Sequence, residues 1–194
     1  MRRTSSPATA GPATRAALRG CLDDTAFDAL FRDCAADLHG YAISLLGSRA
    51  SAEDVTALAF ERLYRTRSRF DSGRGTPRAW LFAIARNAAL DELRRLRRQP
   101  QGQFSPESPT SPPEAPGAAG TIDQIERRAA IRDALAGLPP REREVVLLKF
   151  HGQLSNAELA QALDISQSNA GTRLHRALAR LRDALAEYDL QEIA

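Results

Sequence analysis

Residues 155–176 read SNAELAQALDISQSNAGTRLHR. Ser155 followed three positions later by Glu158 is a capping box, so a helix is expected to open at Asn156. That helix is short and ends at Leu163-Asp164-Ile165. Asp164 falls where a tight turn needs the left-handed conformation; glycine is commoner there, but aspartate tolerates it. Ser166 then caps a longer helix running to about Tyr188. Short helix, tight turn, longer helix is the layout of a helix-turn-helix. Ala160 occupies the point where the two helices approach closely, and Leu159, Leu163, Ile165 and Leu174 form a small core. Ser166, Gln167, Ser168, Asn169, Thr172, Arg173 and Arg176 fall on the exposed side of the second helix. Amides and hydroxyls at a helix N-terminus hold phosphate, and arginine or glutamine reads base edges. On these residues alone an ordinary αα-corner stays open, and Gly171 weakens a rigid reading helix by about 1 kcal/mol relative to alanine.

Upstream, Ile122–Ala136 is amphipathic and stops at Gly137-Leu138-Pro139-Pro140, where a helix carrying Val145, Val146, Leu147, Leu148 and Phe150 begins. Further upstream, residues 99–121 hold six of the eleven prolines. Such a stretch builds neither helix nor core. Extended, its 23 residues reach roughly 70 Å at about 3.1 Å each, about two turns of duplex DNA at roughly 34 Å per turn. The 194-residue chain therefore divides into an N-terminal tail (1–22), a helical block (23–98), a linker (99–121) and a second helical block (122–190).

The first block shows Phe27, Leu30, Phe31, Cys34, Leu38 and Tyr41 at spacings of three and four, which predicts an amphipathic helix over about 24–45. Ser51-Ala52-Glu53-Asp54 resembles a capping box opening a second helix to about Arg67. Thr76-Pro77 is an N-cap with proline at the first helical position. The helix behind it, to about Arg98, is apolar on nearly every face, from Trp80 and Leu81 to Leu90 and Leu93, and belongs at the centre of a bundle. No period-two strand is evident. The fold class is all-α, with two small helical domains and a proline-rich linker between them.

The net charge is only +3, and 26 of the 27 basic residues are arginine. Arginine keeps its charge at any useful pH and presents a planar donor fork suited to phosphate. Resolved along the chain, the charge separates. Residues 23–61 are acidic by a net −6, residues 65–98 basic by +7, and residues 165–182 basic by +4. Two basic segments on an extended spacer suit two contacts with one long polyanion. The acidic segment would repel DNA and suits a protein partner. Between the second and third helices, Arg65–Arg78 (RTRSRFDSGRGTPR) interleaves arginines with Phe70. It is either a flexible basic loop or a platform for single-stranded DNA. Trp80 is core or base-stacking surface; Asn87 and Asp91, four apart, are paired internally or placed for a partner.

Much is excluded. No run of 18 apolar residues exists, so membrane insertion is not expected. Four arginines without an acid in residues 1–20 loosely mimic a transit peptide, but a disordered tail is the simpler reading. Cys21 and Cys34 make neither a disulfide framework nor a zinc knuckle, although a redox pair is conceivable. His39, His151 and His175 lack metal-ligand spacing. No nucleophile–base pair and no glycine-rich phosphate loop is present, so catalytic residues, metal and cofactors are all expected to be none, and the compartment cytoplasmic.

Taken together, these residues resemble a bacterial extracytoplasmic-function (ECF) sigma factor with two sigma domains. The resemblance rests on Ala52-Glu53-Asp54-Val55, Phe70-Asp71, Arg74–Leu81, and Ile84–Asn87 with Asp91 and the arginines that follow. In the second block it rests on Leu138–Val145, Arg173–Ala177 and Leu181-Arg182. It implies that Glu53, Asp54 and Glu61 meet the clamp helices of core RNA polymerase. It implies that Arg65, Arg67, Phe70, Arg74, Arg78, Trp80, Asn87, Arg94 and Arg95 take the −10 element, and that Ser166, Gln167, Ser168, Asn169, Thr172, Arg173 and Arg176 read the −35 element. The second domain would dock on the polymerase flap, and an anti-sigma factor is a further implied partner. The chain departs from the family at Ala57-Leu58, where Gln-Glu is frequent, and at Ala170-Gly171, where Val and Lys are. The competing function is a stand-alone helix-turn-helix regulator.

Overall fold

A computed structural model describes residues 22–98 and 122–192. The tail up to Cys21 and the linker lie outside the described residues, whereas Leu22, assigned to the tail from sequence, is buried in the apolar core. Seven α-helices are present among the described residues, and no strand. The first three are α1 (Asp24–Leu46), α2 (Arg49–Thr66) and α3 (Pro77–Arg98). The second four are α4 (Ile122–Gly137), α5 (Pro140–Phe150), α6 (Asn156–Leu163) and α7 (Gln167–Glu192). The chain is all-α, with two small helical domains.

Local chemistry sets most boundaries. The Ala26 amide donates to Asp23 Oδ1 at 2.7 Å, opening α1. Gly47 closes it at φ 69°, its N–H returning to the Ile43 carbonyl. A left-handed residue there is what glycine adopts without a Cβ penalty. The chain re-enters helix at once, so Ser48, not Ser51, caps α2, accepting from the Ser51 amide at 3.3 Å. Ser51 lies inside the helix instead, and its hydroxyl donates to Glu92 on α3 at 3.2 Å. Thr76 caps α3 through the Ala79 amide at 3.2 Å, ahead of Pro77 at the first helical position.

Leu38, Ala59, Leu63, Leu81 and Ala85 form the centre of the first domain, all fully enclosed. Beside them Ala42, Ala52, Ala88 and Ala89 form a seam with Ile43 and Val55. With only a Cβ on each of the alanines, the three helix axes approach closely there. The α1 apolar face is not wholly enclosed: Phe31 is 47% exposed and lies against Phe60 at 4.7 Å between ring centroids.

In the second domain, α5 and α6 pack on α7, as does α4. Lys149 Nζ donates to the Leu154 carbonyl at 2.8 Å and ties the turn between α5 and α6. Both halves of the Ser155–Glu158 capping box form. Asp164 is left-handed at φ 53°, as its place in the turn predicts. Leu159, Leu163 and Leu174 are buried with Ala160, and Ile165 packs against them.

The two domains meet along one continuous apolar core. Helix α3 lies on α6, and α1 touches α5. Gly152 sits at the joint: a Cβ there would stand 2.5 Å from the Leu148 carbonyl oxygen and 3.3 Å from the Phe82 ring. Tyr41 and Phe82 meet edge to face at 5.8 Å between centroids. The Tyr41 hydroxyl is fully buried with no hydrogen-bond partner among the described residues. Burial, reinforced by the nearby Glu144, pushes this phenol far above its usual range. An unsatisfied buried hydroxyl is destabilising. Tyr41→Phe is therefore expected to raise stability by about 1 kcal/mol, read as a gain in thermal midpoint of about 2–4 °C; a fall would show that the hydroxyl is paired in solution.

Candidate nucleic-acid interface

The basic segment after α2 is a structured loop. Residues Arg67–Arg69 make a turn of 3₁₀ helix. Asp71 then holds the chain, accepting from the Gly73 amide at 2.9 Å on its side chain and from the Arg74 amide at 3.0 Å on its carbonyl. Phe70 stacks on Trp80 at 5.6 Å and 29°. Trp80 is half-buried and Phe70 only 7% exposed. Arg69, Phe70, Arg74, Thr76 and Trp80 line one wall of a cleft of about 600 Å³, whose other wall is Gln161, Ala162 and Asp164 of the helix-turn-helix.

The arginines expected to meet the −10 element divide into four settings. Arg74 is exposed at the cleft. Arg65 pairs with Glu61 at 2.9 Å, Arg94 with Asp91 at 2.8 Å and Arg95 with Glu92 at 2.7 Å, all within single helices. The first two pairs are exposed, weak, and exchange readily for a phosphate; Glu92 is more enclosed and also accepts from Ser51. Arg67 stacks on the Tyr64 ring at 3.7 Å and pairs with Asp24 at 3.1 Å. Arg78 is turned inward. Its guanidinium donates to Asp37, to the Gly152 carbonyl at 2.6 Å, to the His151 carbonyl at 2.9 Å and to Cys34 Sγ at 3.2 Å. Asn87 is exposed and accepts from Arg86 at 3.4 Å.

On α7, Ser166 accepts from the Asn169 amide at 3.2 Å, and Gln167, Ser168, Thr172 and Arg176 are exposed. Arg173 Nε donates to Asn169 Oδ1 at 3.0 Å, which aligns the guanidinium along the helix. Ala170 is fully buried against the rest of the motif, so the alanine serves the packing. A Cβ on Gly171 would reach only Asn156, at 3.9 Å, so space does not demand glycine there. On the acidic side, Glu53 pairs with Arg49 at 3.0 Å, Asp54 and Ala57 are exposed, and Leu58 is half-buried.

Several polar residues escaped the sequence reading. Arg86 Nε meets Glu144 Oε1 at 2.8 Å, with the side chains 20% and 10% exposed. Thr76 donates to Glu158, and Ser44 lies 3.4 Å from His151 Nε2. All three cross between the domains. Burial alone would raise the Glu158 carboxyl; hydrogen bonds from Thr76 and Ser155, with Lys149 nearby, outweigh it and hold the group below its usual range. His151 is lowered from its usual 6.5, because burial disfavours the imidazolium more than Asp37 favours it. Burial raises the Cys34 thiol, with Arg78 opposing.

The sign of the pH dependence follows. A histidine lowered on docking binds fewer protons in the docked form, so its contribution is whole above about 6.5 and is lost as pH falls below that value. The domain contact is expected to loosen as pH falls from 7 to 5, seen as an increase in radius of gyration by small-angle scattering. No change over that range would show that docking does not desolvate His151.

Among the described residues, no helix is long and apolar enough to cross a membrane, and no acid, histidine and cysteine cluster suits a metal ion. The fold and the outward face of α7 define a helix-turn-helix protein. Residues 30–99 match the family model for sigma-70 region 2, and residues 128–181 that for sigma-70 region 4. The chain is 33% identical to the ECF RNA polymerase sigma factor SigL of Mycobacterium tuberculosis, over 82% of this chain and 88% of that one. It is 30% identical to the ECF RNA polymerase sigma factor RpoE of Cereibacter sphaeroides, over 88% and 92%. Its fold is similar to that of the sigma factor RpoE from Bartonella quintana, solved with the anti-sigma factor NepR: TM-score 0.66, 24% identity, 82% of this chain and 96% of that chain covered. The chain belongs to the ECF RNA polymerase sigma factors, and it directs promoter recognition and transcription initiation.

Proposed function

We propose that the chain acts on DNA through two separate surfaces and on polymerase through a third. Gln167, Ser168, Asn169, Thr172, Arg173 and Arg176, opened by Ser166, read the −35 element. The loop from Arg65 to Arg78, with Trp80, Asn87, Arg94 and Arg95, takes the −10 strand. Flipping a base costs a few kcal/mol, and stacking on an aromatic or arginine face returns roughly 1–3 kcal/mol per base. Glu53, Asp54 and Glu61 face core RNA polymerase at its clamp, and the second domain faces its flap. The protein does no bond chemistry of its own; it works in the cytoplasm and is restrained by an anti-sigma factor.

The observation that carries this reading is the outer face of α7, polar and exposed over a buried Ala170–Leu174–Ala177 seam. Run-off transcription with purified core polymerase tests it. A promoter-dependent product is expected only when both proteins are present. Tight specific binding to duplex DNA without polymerase would instead favour a stand-alone regulator. Arg173→Ala is expected to weaken −35 binding by about 1–3 kcal/mol, roughly 5–150-fold. Equal loss on every −35 sequence would reassign Arg173 to a phosphate.

A further inference from the structure

We propose that Asn156, at the start of the first helix of the helix-turn-helix, reads an adenine of the −35 element in a notch that Gly171 leaves open on the second helix. The inference rests on the −35 assignment above and adds to it a reading residue from outside α7.

Gly171 has no reason within the fold to be glycine. Its backbone is ordinary helix, without the positive φ that favours the residue. A Cβ there would meet nothing nearer than Asn156 Nδ2, at 3.9 Å, an ordinary van der Waals distance. Glycine inside a helix is less stable than alanine. A glycine that neither space nor torsion requires suits a place where something outside the chain approaches the backbone closely. That place borders the reading face. Gly171 lies between Ala170, buried in the motif, and Thr172, exposed on the face that Ser168 and Arg176 share at spacings of four.

Asn156 edges the notch with a free amide. It is exposed, and its side chain has no hydrogen-bond partner among the described residues. Ser155 and Glu158 make the capping box without it. The Ser155 amide donates to Glu158 Oε2 at 2.8 Å, and the Glu158 amide to Ser155 Oγ at 3.3 Å. The start of α6 is thereby fixed, with the Asn156 amide left over. On α7, by contrast, Asn169 Oδ1 already accepts from Arg173. An asparagine amide matches adenine in the major groove at both ends, Oδ1 accepting from N6 and Nδ2 donating to N7. A phosphate offers acceptors alone, so it would use Nδ2 and leave Oδ1 facing negative charge. Arg173 and Arg176 are better suited to that task.

The test uses holoenzyme assembled from purified core RNA polymerase and the full chain. The probe is duplex promoter DNA randomised over the −35 element, with bound and unbound fractions sequenced. The wild type is expected to favour adenine at one −35 position. Asn156→Ala is expected to lose about 10-fold of that discrimination, the scale of one bidentate base contact, and to keep its preferences elsewhere. Asn156→Asp keeps the shape but offers acceptors alone, and is expected to turn the preference at that position from adenine to cytosine. Gly171→Ala is expected to raise the thermal midpoint by about 2–4 °C and yet to bind the favoured sequence at least about 5-fold more weakly. A purely structural glycine would not give that opposition. A loss in Asn156→Ala spread equally over all sequences would reassign the residue to a phosphate and overturn the proposal. So would an unchanged preference in either Asn156 variant, or a Gly171→Ala chain that binds as tightly as wild type. Arg173→Ala on the same DNA separates this inference from the wider reading. If it loses a position-specific preference and Asn156→Ala does not, the inference falls and the role of α7 stands. If the wild-type holoenzyme has no −35 preference, both fall.

Discussion

Phe82→Ala is expected to destabilise the chain by about 3–5 kcal/mol, the range for truncating a large buried aromatic. For a chain of this size that is a fall in thermal midpoint on the order of 10 °C. The ring is fully enclosed. It touches Tyr41 edge to face, lies 5.4 Å from the Arg78 guanidinium carbon, and sits beside Gly152 of the other domain. Arg78 is held by hydrogen bonds and Gly152 is backbone, so on those two sides the cavity collapses poorly. Loss on the α3 side falls on the first domain; loss on the Gly152 side falls on docking. Differential scanning calorimetry is expected to show a broader or split transition in the variant. A fall below about 1 kcal/mol would show that the joint does not exist in solution.

Arg86→Ala is expected to cost about 3 kcal/mol, because it strands the Glu144 carboxylate at 10% exposure without a partner. Removing both partners leaves no stranded charge, so R86A/E144A is expected to recover most of the loss. The coupling from such a double-mutant cycle should lie within about 0.5–3 kcal/mol, measured by urea unfolding. The size of the single-variant loss has a ceiling. Once the domains part, Glu144 regains water, so the cost cannot exceed the free energy of docking. The Arg86→Ala result is thus also a lower bound on how firmly the domains hold together. Equal losses in the single and double variants would show that the pair is solvated.

The helices were legible because their signals are local. Thr76-Pro77, Ser155 with Glu158, and Asp164 each act within four residues, and the structure places each in its expected role. The start of α2 was misplaced by three residues because Ser48 and Ser51 are equally good caps on paper. Gly47 decides between them, its left-handed turn leaving no room for a longer connection. Phe31 fits the apolar periodicity of α1 yet stays half outside, since periodicity gives a face but not the width of the neighbour covering it. The docking of the domains was not legible. Arg86 and Glu144 are 58 positions apart, Arg78 and Gly152 74, Thr76 and Glu158 82. A helical arginine or glutamate is most simply a solvated residue. One clue stood in the sequence: Glu144 immediately precedes the buried run Val145–Leu148, where an unpaired charge would be expensive. Arg78 was assigned to DNA from the loop's basic character, which cannot show that the guanidinium has a partner within the fold.

Lys149 carries the only side-chain amine in the chain, and that amine is bound to the Leu154 carbonyl across the α5–α6 turn. Amine-directed reagents therefore have a single internal target, held in the segment that bears His151 and Gly152. The hydrogen bond restrains that amine, so the rate at which Lys149 takes a small activated ester is expected to rise when the turn comes loose. The protein carries its own gauge of opening, readable by mass spectrometry without an introduced label.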